Sequence, residues 1–220
     1  MPAMPAPLRM RIDALILDMD GVLADTEPLH VRAWDLALSG ISSAVVLKER
    51  ARLSGMSSPD IARELILTFA LPLSVEELVW KKRGIYRGMI ETGLSAFPGL
   101  ADELSLWRDR PLALATSSPR EETAMMLERM GFAGWFDPVI TCDDVRRAKP
   151  APDCYALAAQ RLGMRPADCI VIEDSAHGIR AAQDAGARVL AVTTTAMPER
   201  TEGLLGVFPG TVQALQWLRD

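Results

Sequence analysis

The chain has 220 residues, of which 49% are hydrophobic and 24% are charged. This composition is typical of a globular protein with a buried core, and it excludes a wholly disordered chain. Lys and Arg total 24 against 29 Asp and Glu, which gives a formal net charge of −5. Such a balance argues against nucleic acid as a partner, because a protein that neutralises phosphates needs a basic surface.

No apolar run approaches the roughly 18 residues that a membrane-spanning helix needs, and the first residues lack a hydrophobic stretch of signal-peptide length. The three cysteines, at positions 142, 154 and 169, lack the paired spacings of a zinc site or a disulfide framework. We therefore expect reduced thiols, a cytoplasmic location and no membrane partner. For the assembly we expect a monomer or a weak homodimer.

The first element in the chain is a short apolar run over 12–17 that ends at Asp18, and it predicts a buried strand that opens into a tight turn. From about 28 to 91, apolar residues such as Leu29 and Ala33 recur at helical spacing, and no strand pattern interrupts them. This second stretch is predicted to form a small helical domain.

Strands and helices alternate in the rest of the chain. The apolar runs lack period-two alternation, which favours a parallel sheet that is covered on both faces. The predicted strands span 111–115, 138–141, 169–172 and 188–192, the last of these closing the series, and the predicted helices span 120–130, 152–162, 175–185 and 212–218.

One strand precedes the helical stretch and the others follow it. The predicted fold is therefore α/β, with a Rossmann-like parallel sheet as its core and an inserted α-helical cap domain. We expect the core to comprise 8–23 and 94–220, and the cap to comprise 24–93.

Ligands of open parallel sheets collect at the carboxyl ends of the strands, and Asp18 and Asp20 follow the first strand there. Two carboxylates separated by one residue can point toward the same side. Carboxylates in such a place can attack phosphorus, coordinate a hard cation or transfer a proton. The alternative interpretation is a polar loop at a strand end.

Three further strand ends carry polar residues. Thr116 and Ser117 offer hydroxyl and backbone N–H groups to an anion, although most such residues simply cap a helix. Lys149 can neutralise phosphate charge or can lie solvated at the surface. The adjacent acids at 173 and 174 suit Mg²⁺, which prefers oxygen ligands, or Asp174 can cap the next helix.

Taken together, these segments resemble the four motifs of the haloacid dehalogenase superfamily. The nearest branch looks like the group of β-phosphoglucomutases and phosphoglycolate phosphatases, which have a helical cap after the first motif. The resemblance covers most of the chain, from Arg11 to Val192. The four segments are DMDGVLADTEPLH over 18–30, ATSS over 115–118, KPAPD over 149–153 and IEDSAHGI over 172–179.

The resemblance implies roles that agree with the local chemistry. Asp18 would be the nucleophile that forms an aspartyl-phosphate. Asp20 would protonate the leaving oxygen and then deprotonate water. Thr116 would bind the transferring phosphoryl group with help from the Ser117 amide, and Lys149 would offset the charge on nucleophile and phosphate.

The resemblance also implies a cofactor. Mg²⁺ would bind the Asp18 carboxylate, the backbone carbonyl of Asp20 and the Asp174 carboxylate, with Glu173 in support from an adjacent position. Members that cleave carbon–halogen bonds lack an acid two residues after the nucleophile. The presence of Asp20 therefore favours phosphoryl transfer over dehalogenation.

Two polar residues of the predicted cap match substrate-side positions of the phosphomutase branch. His30 corresponds to a histidine that is linked there to proton handling and closure, and Lys82 resembles a lysine that contacts substrate. The alternatives are an ordinary polar residue on the first cap helix for His30 and a solvated basic face for Lys82. A closed cap would exclude water and choose the substrate.

The segment over 53–58, which includes Gly55, resembles the substrate loop of the cap. The phosphomutases have an arginine where Ser58 stands, and it clamps the distal phosphate of a bisphosphorylated sugar. Serine does not replace a bidentate arginine clamp. A shift in the alignment would let Arg52 or Arg63 take its place.

The motifs favour a Mg²⁺-dependent phosphatase that acts on a small phosphorylated metabolite, such as a sugar phosphate or phosphoglycolate. One alternative is a phosphomutase, which returns the phosphoryl group to its substrate. The other alternative is a non-catalytic binding protein that has kept the fold. The acids at 18, 20 and 174 argue against this last interpretation.

Overall fold

The computed structural model describes residues 12–39, 56–195, 197–198 and 201–219. Within these ranges it contains a six-stranded sheet and a set of helices that surround it. The strands are β1 (Ala14–Leu17), β2 (Leu112–Ala115), β3 (Val139–Ile140), β4 (Cys169–Glu173), β5 (Arg188–Val192) and β6 (Leu204–Phe208). The helices are α1 (Glu27–Ala37), α2 (Ser58–Phe69), α3 (Val75–Gly93), α4 (Leu100–Ser105), α5 (Arg120–Arg129), α6 (Asp153–Arg161), α7 (Ala176–Asp184) and α8 (Thr211–Arg219).

All neighbouring strands pair in parallel, in the order β3-β2-β1-β4-β5-β6. This order reverses direction between β1 and β4, which are adjacent in the sheet although they are distant in the chain. In open α/β sheets, ligands bind outside the carboxyl ends of the strands at such a switch point. The crevice beyond Leu17 and Glu173 is therefore the expected place for a site.

The sheet is apolar on both faces because helices cover both faces. Successive side chains of a strand point to opposite faces, so Leu15 and Leu17 lie in one hydrophobic cluster, whereas Ile16 lies in the other with Val171. All four of these residues are fully buried. This two-sided burial explains why the strand sequences show continuous apolar runs.

The helices α1, α2 and α3 pack together around a third hydrophobic cluster, which includes Trp34, Leu65 and Leu78. Helix α3 begins at a capping box, in which the Ser74 hydroxyl accepts the Glu77 N–H and the Glu77 carboxylate accepts the Ser74 N–H. These helices agree with the helical character predicted for 28–91. The division into domains at residues 24 and 93 stays a prediction.

The sheet extends one strand further than the sequence patterns indicate. The prediction that 188–192 closes the series is wrong, because β6 pairs with β5 at the edge of the sheet. Gly206 interrupts the β6 sequence, and most of the strand is only half-buried, so neither the strand propensity nor the apolar run is strong. The sequence patterns also do not indicate the short helix α4.

All three cysteines are free, and two of them, Cys154 and Cys169, are buried. This agrees with the expectation of reduced thiols. Among the helices in the described ranges, none combines the length and the apolar character that crossing a bilayer requires.

The third hydrophobic cluster offers a test of its contribution to stability. Leu78 is fully buried within it, so Leu78→Ala is expected to lower the free energy of unfolding by about 2–5 kcal/mol through lost burial and the cavity that remains. Leu67→Ala on α2 is the matched control, because Leu67 is 74% exposed. Urea denaturation should show a change within about 0.5 kcal/mol for this control. Equal effects of the two substitutions would contradict the packing.

Candidate active site

A tight turn after β1 brings two acidic loops together. The Asp18 N–H donates to the Ile172 carbonyl at 3.1 Å, and the Gly21 N–H donates to the Ala24 carbonyl at 2.8 Å. Gly21 has a φ of +71°, and a Cβ atom there would stand 1.8 Å from Oδ2 of Asp174. Only glycine allows both this backbone conformation and this close approach. The turn thus places the DMDG segment directly against the loop after β4.

Lys149 is the centre of the buried polar network between these loops. Its ammonium donates to Oδ1 of Asp18 at 2.6 Å, to Oε1 of Glu173 at 2.8 Å and to the Ala115 carbonyl at 3.1 Å. The Tyr155 hydroxyl lies 2.9 Å from the same ammonium. Burial alone would lower the pKa of Lys149, but the two carboxylates outweigh burial and hold the pKa well above its ordinary value.

Both oxygens of Glu173 are occupied by hydrogen bonds. Oε1 accepts from Lys149 and from the Tyr155 hydroxyl, and Oε2 accepts from the N–H groups of Asp174 and Ser175 at 2.8 Å each. A Cβ atom at Gly178 would stand 1.6 Å from Oε1 of Glu173, so the first turn of α7 closes tightly over this side chain. Glu173 therefore holds the loop in shape.

Three carboxylates at the switch point fit a divalent cation. Oxygens of Asp18, Glu173 and Asp174 all lie within 4.8 Å of one another, and all three residues are buried. Burial raises the pKa of Asp18 and of Asp174, and the neighbouring carboxylates raise both further. A hard cation prefers such oxygen donors and would relieve their mutual repulsion. The hydroxyl of Thr195 orients Asp174 by donating to Oδ2.

Asp20 faces the same crevice but belongs to a second hydrogen-bond network. The Thr26 hydroxyl donates to Oδ1 at 2.5 Å, the Ser118 hydroxyl donates to Oδ2 at 3.2 Å, and Nε2 of His30 lies 3.4 Å from Oδ1. Burial raises the pKa of Asp20, but the bonds from His30 and Thr26 and the charge on Lys82 outweigh it and lower the pKa to about 2. Asp20 is therefore ionised in this state.

Behind His30, the network ends at a buried lysine. Nζ of Lys82 lies 2.9 Å from Nδ1 of His30, which makes Nδ1 the acceptor and leaves Nε2–H to face Asp20. The Tyr86 ring stacks on the imidazole with a centroid distance of 4.1 Å, and the Lys82 ammonium lies 4.2 Å from the Tyr86 centroid. Burial lowers the pKa of Lys82 to about 8. His30 thus links the buried Lys82 and Tyr86 to Asp20.

A cavity of about 320 Å³ connects these groups. This volume suits a small ligand. Its lining includes most of the site residues that the sequence predicts, namely Asp18, Asp20, His30, Ser117, Lys149, Glu173 and Asp174.

Two predicted site residues, Thr116 and Lys82, are not part of this lining. Thr116 is buried beneath the cavity, where its hydroxyl oxygen accepts the Ser118 N–H at 3.0 Å. Lys82 is also fully buried, and it contacts His30 instead of lining the cavity. Gly55 lies outside the described residues.

Several residues of the site are absent from the residues that the sequence predicts. Tyr155 on α6 joins Lys149 to Glu173, and Thr195 after β5 contacts Asp174. The position of Thr195 after a strand end is the same signal that marks Thr116. For Tyr86, the only sequence feature that points to the site is its helical spacing from Lys82.

The comparisons with known proteins agree with this geometry. A model of the haloacid dehalogenase-like hydrolases matches residues 12–186. The chain belongs to this family. A fructose-1-phosphate phosphatase from Escherichia coli K12 is 35% identical over 177 residues, which cover 80% of this chain and 94% of that protein. A phosphoglycolate phosphatase from the same strain is 31% identical over 205 residues, which cover 83% of this chain and 81% of that protein.

The fold is also shared with solved structures. A β-phosphoglucomutase from Clostridium difficile superposes with a TM-score of 0.81 over 92% of this chain and 93% of that chain, at 24% sequence identity. At this level of identity the likeness concerns the fold alone. The predictions of the family and of an α/β core with a Rossmann-like parallel sheet are confirmed.

The acidic cluster predicts that a divalent cation stabilises the protein. With Mg²⁺ at a hundredfold excess over Kd, binding should add about 2.7 kcal/mol, which corresponds to a rise in Tm of about 5–10 °C for a chain of this size. Asp174→Asn should remove most of this rise, because it deletes one of the buried carboxylates.

Asp184→Asn is the matched control, since Asp184 is an exposed acid on α7, and it should keep the full rise in Tm. A control melt in NaCl, at the same ionic strength as the melt in Mg²⁺, separates cation binding from salt screening. Identical shifts in the wild type and in Asp174→Asn would contradict the assignment of the cluster as a cation site.

Proposed function

We propose that this protein is a Mg²⁺-dependent phosphatase that hydrolyses a small phosphomonoester through an aspartyl-phosphate on Asp18. One observation carries the proposal. Oδ1 of Asp18 is held by Lys149, whereas within the described residues its other oxygen accepts no hydrogen bond and the side chain lines the cavity. A carboxylate that is fixed through one oxygen can direct the other at phosphorus.

In the first step, an Asp18 oxygen attacks phosphorus, and the bond from phosphorus to the alcohol oxygen of the substrate breaks. Asp20 donates the proton that the departing oxygen needs. A phosphate dianion beside Asp20 raises the pKa of this carboxyl. Nε2–H of His30, 3.4 Å away, can pass its proton to Asp20 while Nδ1 takes a proton from the Lys82 ammonium, which leaves His30 neutral and Lys82 as the amine. The products of this step are the free alcohol and the aspartyl-phosphate.

In the second step, Asp20 accepts a proton from a water molecule, whose oxygen attacks phosphorus. The bond from phosphorus to Asp18 breaks, which releases inorganic phosphate and regenerates the carboxylate. Asp20 is in the basic form for this step because it gave up its proton to the departing oxygen in the first step. The Thr26 and Ser118 hydroxyls hold the carboxylate in place.

The Asp18 and Asp174 carboxylates and the backbone carbonyl of Asp20 would hold Mg²⁺. When bound, the cation neutralises charge on the nucleophile and on the phosphoryl oxygens. Glu173 would act as a positioning residue, because its oxygens are already occupied by Lys149 and by backbone N–H groups.

The phosphoryl oxygens would meet hydrogen-bond donors of the loop after β2. Ser117 lines the cavity and would offer its N–H group, whereas Thr116 would act from beneath by shaping this loop. Ser58 lines the cavity and offers no guanidinium at the position where the phosphomutases have their arginine clamp, which favours hydrolysis over phosphoryl return. Arg63, which a shifted alignment would put in the place of the clamp, is instead paired with Asp60 at 2.6 Å.

The nucleophile is tested by Asp18→Asn. An amide oxygen is a poor nucleophile, so phosphate release from a panel of metabolite phosphates with Mg²⁺ should fall at least about a thousandfold. Asp184→Asn, on the exposed face of α7, is the control and should retain wild-type rates. Full activity in Asp18→Asn would refute the proposal. An isomeric sugar phosphate in place of free phosphate would identify a phosphomutase.

The link from Lys82 through His30 to Asp20 is tested by Lys82→Met. Loss of the ammonium removes one cause of the low pKa of Asp20, so the acid limb of the kcat profile, which includes the second step in which Asp20 is the base, should move to higher pH. The rate near neutral pH should fall about tenfold, since His30 loses the partner on its other ring nitrogen. The profiles of the wild type and of Lys82→Met are measured on one substrate, so that ionisation of the substrate affects both in the same way.

Lys81→Met is the matched control, because Lys81 is the exposed neighbour of Lys82 on α3. It should leave the pH profile unchanged. A Lys82→Met profile that superposes on those of the wild type and of Lys81→Met would show that the buried ammonium does not act on Asp20.

A further inference from the structure

The cavity lining also includes a charged pair that the proposed reaction does not use. Arg83 projects from α3 and Glu122 from α5, and both residues line the cavity. Nε of Arg83 lies 3.4 Å from Oε1 of Glu122. The Glu122 side chain is only 5% exposed, whereas that of Arg83 is 39% exposed. The pair therefore joins a helix of the predicted cap to the core, and it does so at the ligand cavity.

The hydrogen-bonding capacity of this pair is not filled. Nε of Arg83 is buried without a hydrogen bond to any described residue, and its distance to Glu122 is long for such a bond. Glu122 accepts no hydrogen bond from the part of the chain that the structure describes. Burial raises the pKa of Glu122, although Lys82 and Arg83 oppose the rise. Unfilled polar groups of this kind are costly unless a ligand or water satisfies them.

The chemistry of the pair favours hydroxyl groups as its ligand. An N–H donor stands beside a carboxylate acceptor, and their charges offset each other, which matches neighbouring hydroxyls that both donate and accept. A second anionic group on the substrate would meet the Glu122 carboxylate and be repelled. Arg146 also lines the cavity, but it is exposed, so solvent and salt screen its charge.

We propose that Arg83 and Glu122 are the specificity-determining pair of this pocket, and that they bind hydroxyl groups on the leaving group of a phosphorylated polyol or sugar. This inference rests on the proposed phosphatase activity and deepens it by naming the substrate class. Substrates whose second functional group is a carboxylate, such as phosphoglycolate, would lack the matching hydroxyls and would be disfavoured.

A neighbouring ion pair provides a matched control for the same two helices. Arg87, one turn further along α3, pairs with Glu121 on α5 at 2.8 Å, and their side chains are 41% and 74% exposed. Neither residue is among those that line the cavity. A purely structural link between α3 and α5 would therefore involve Arg87 as much as Arg83, whereas substrate recognition would involve Arg83 alone.

The test compares two substrates of equal chain length, sorbitol 6-phosphate and n-hexyl phosphate, which differ in their hydroxyl groups. The measured quantity is the ratio of their kcat/KM values. In Arg83→Met and in Glu122→Gln this ratio should fall at least about tenfold relative to the wild type, because the first substitution removes the N–H donor and the second replaces the charged acceptor with a weaker neutral one. In Arg87→Met the ratio should equal that of the wild type. Circular dichroism melts establish that each variant is folded.

Other outcomes overturn the inference in distinguishable ways. If the ratio is unchanged in both Arg83→Met and Glu122→Gln while both substrates are hydrolysed, the pair does not recognise hydroxyl groups. The phosphatase proposal stands in that case. If Arg83→Met and Arg87→Met lower the rates on both substrates equally, the pair is a structural link. If the wild type hydrolyses neither substrate nor any other phosphomonoester, the proposed function fails and this inference fails with it.

Discussion

The site depends on one buried ammonium that holds two carboxylates from different strands. Lys149 contacts Asp18 after β1 and Glu173 at the end of β4, and it also contacts the last carbonyl of β2. Without this charge, the neighbouring acids would repel one another in a region where solvent cannot screen them. The same contact leaves the second oxygen of Asp18 available, so a single interaction stabilises the acids and would direct the proposed nucleophile.

The sheet topology makes this interaction possible. Because β1 and β4 are neighbours at the switch point, the loops that follow them share one crevice. Gly21 lets the first loop approach Asp174, and Gly178 lets α7 close over Glu173. The helices α1 and α3 supply His30 and Lys82, which lower the pKa of Asp20. The two carboxylates of the DMD segment thereby obtain different environments, which suit the different tasks that we propose for them.

Most of the parallel sheet and the acidic centre could be predicted from the sequence because each rests on a local pattern. A buried strand is a continuous apolar run, and a polar residue directly after it lies at the ligand edge of the sheet. The strand β6 gives no such run, since Gly206 interrupts it and the edge is only half-buried. Lys82 and Thr116 show a further limit, because residue type and spacing indicate proximity to a site without indicating whether the side chain reaches the cavity or lies behind it.

The central claim is that Asp18 carries the phosphoryl group during turnover. Borohydride reduces an acyl phosphate but not a free carboxylate, so treatment of the turning-over enzyme should convert Asp18 to homoserine. Mass spectrometry of the peptide that contains Asp18 should show this conversion only when substrate and Mg²⁺ are both present. Continued release of phosphate while borohydride converts a different acid, or converts none, would contradict the account.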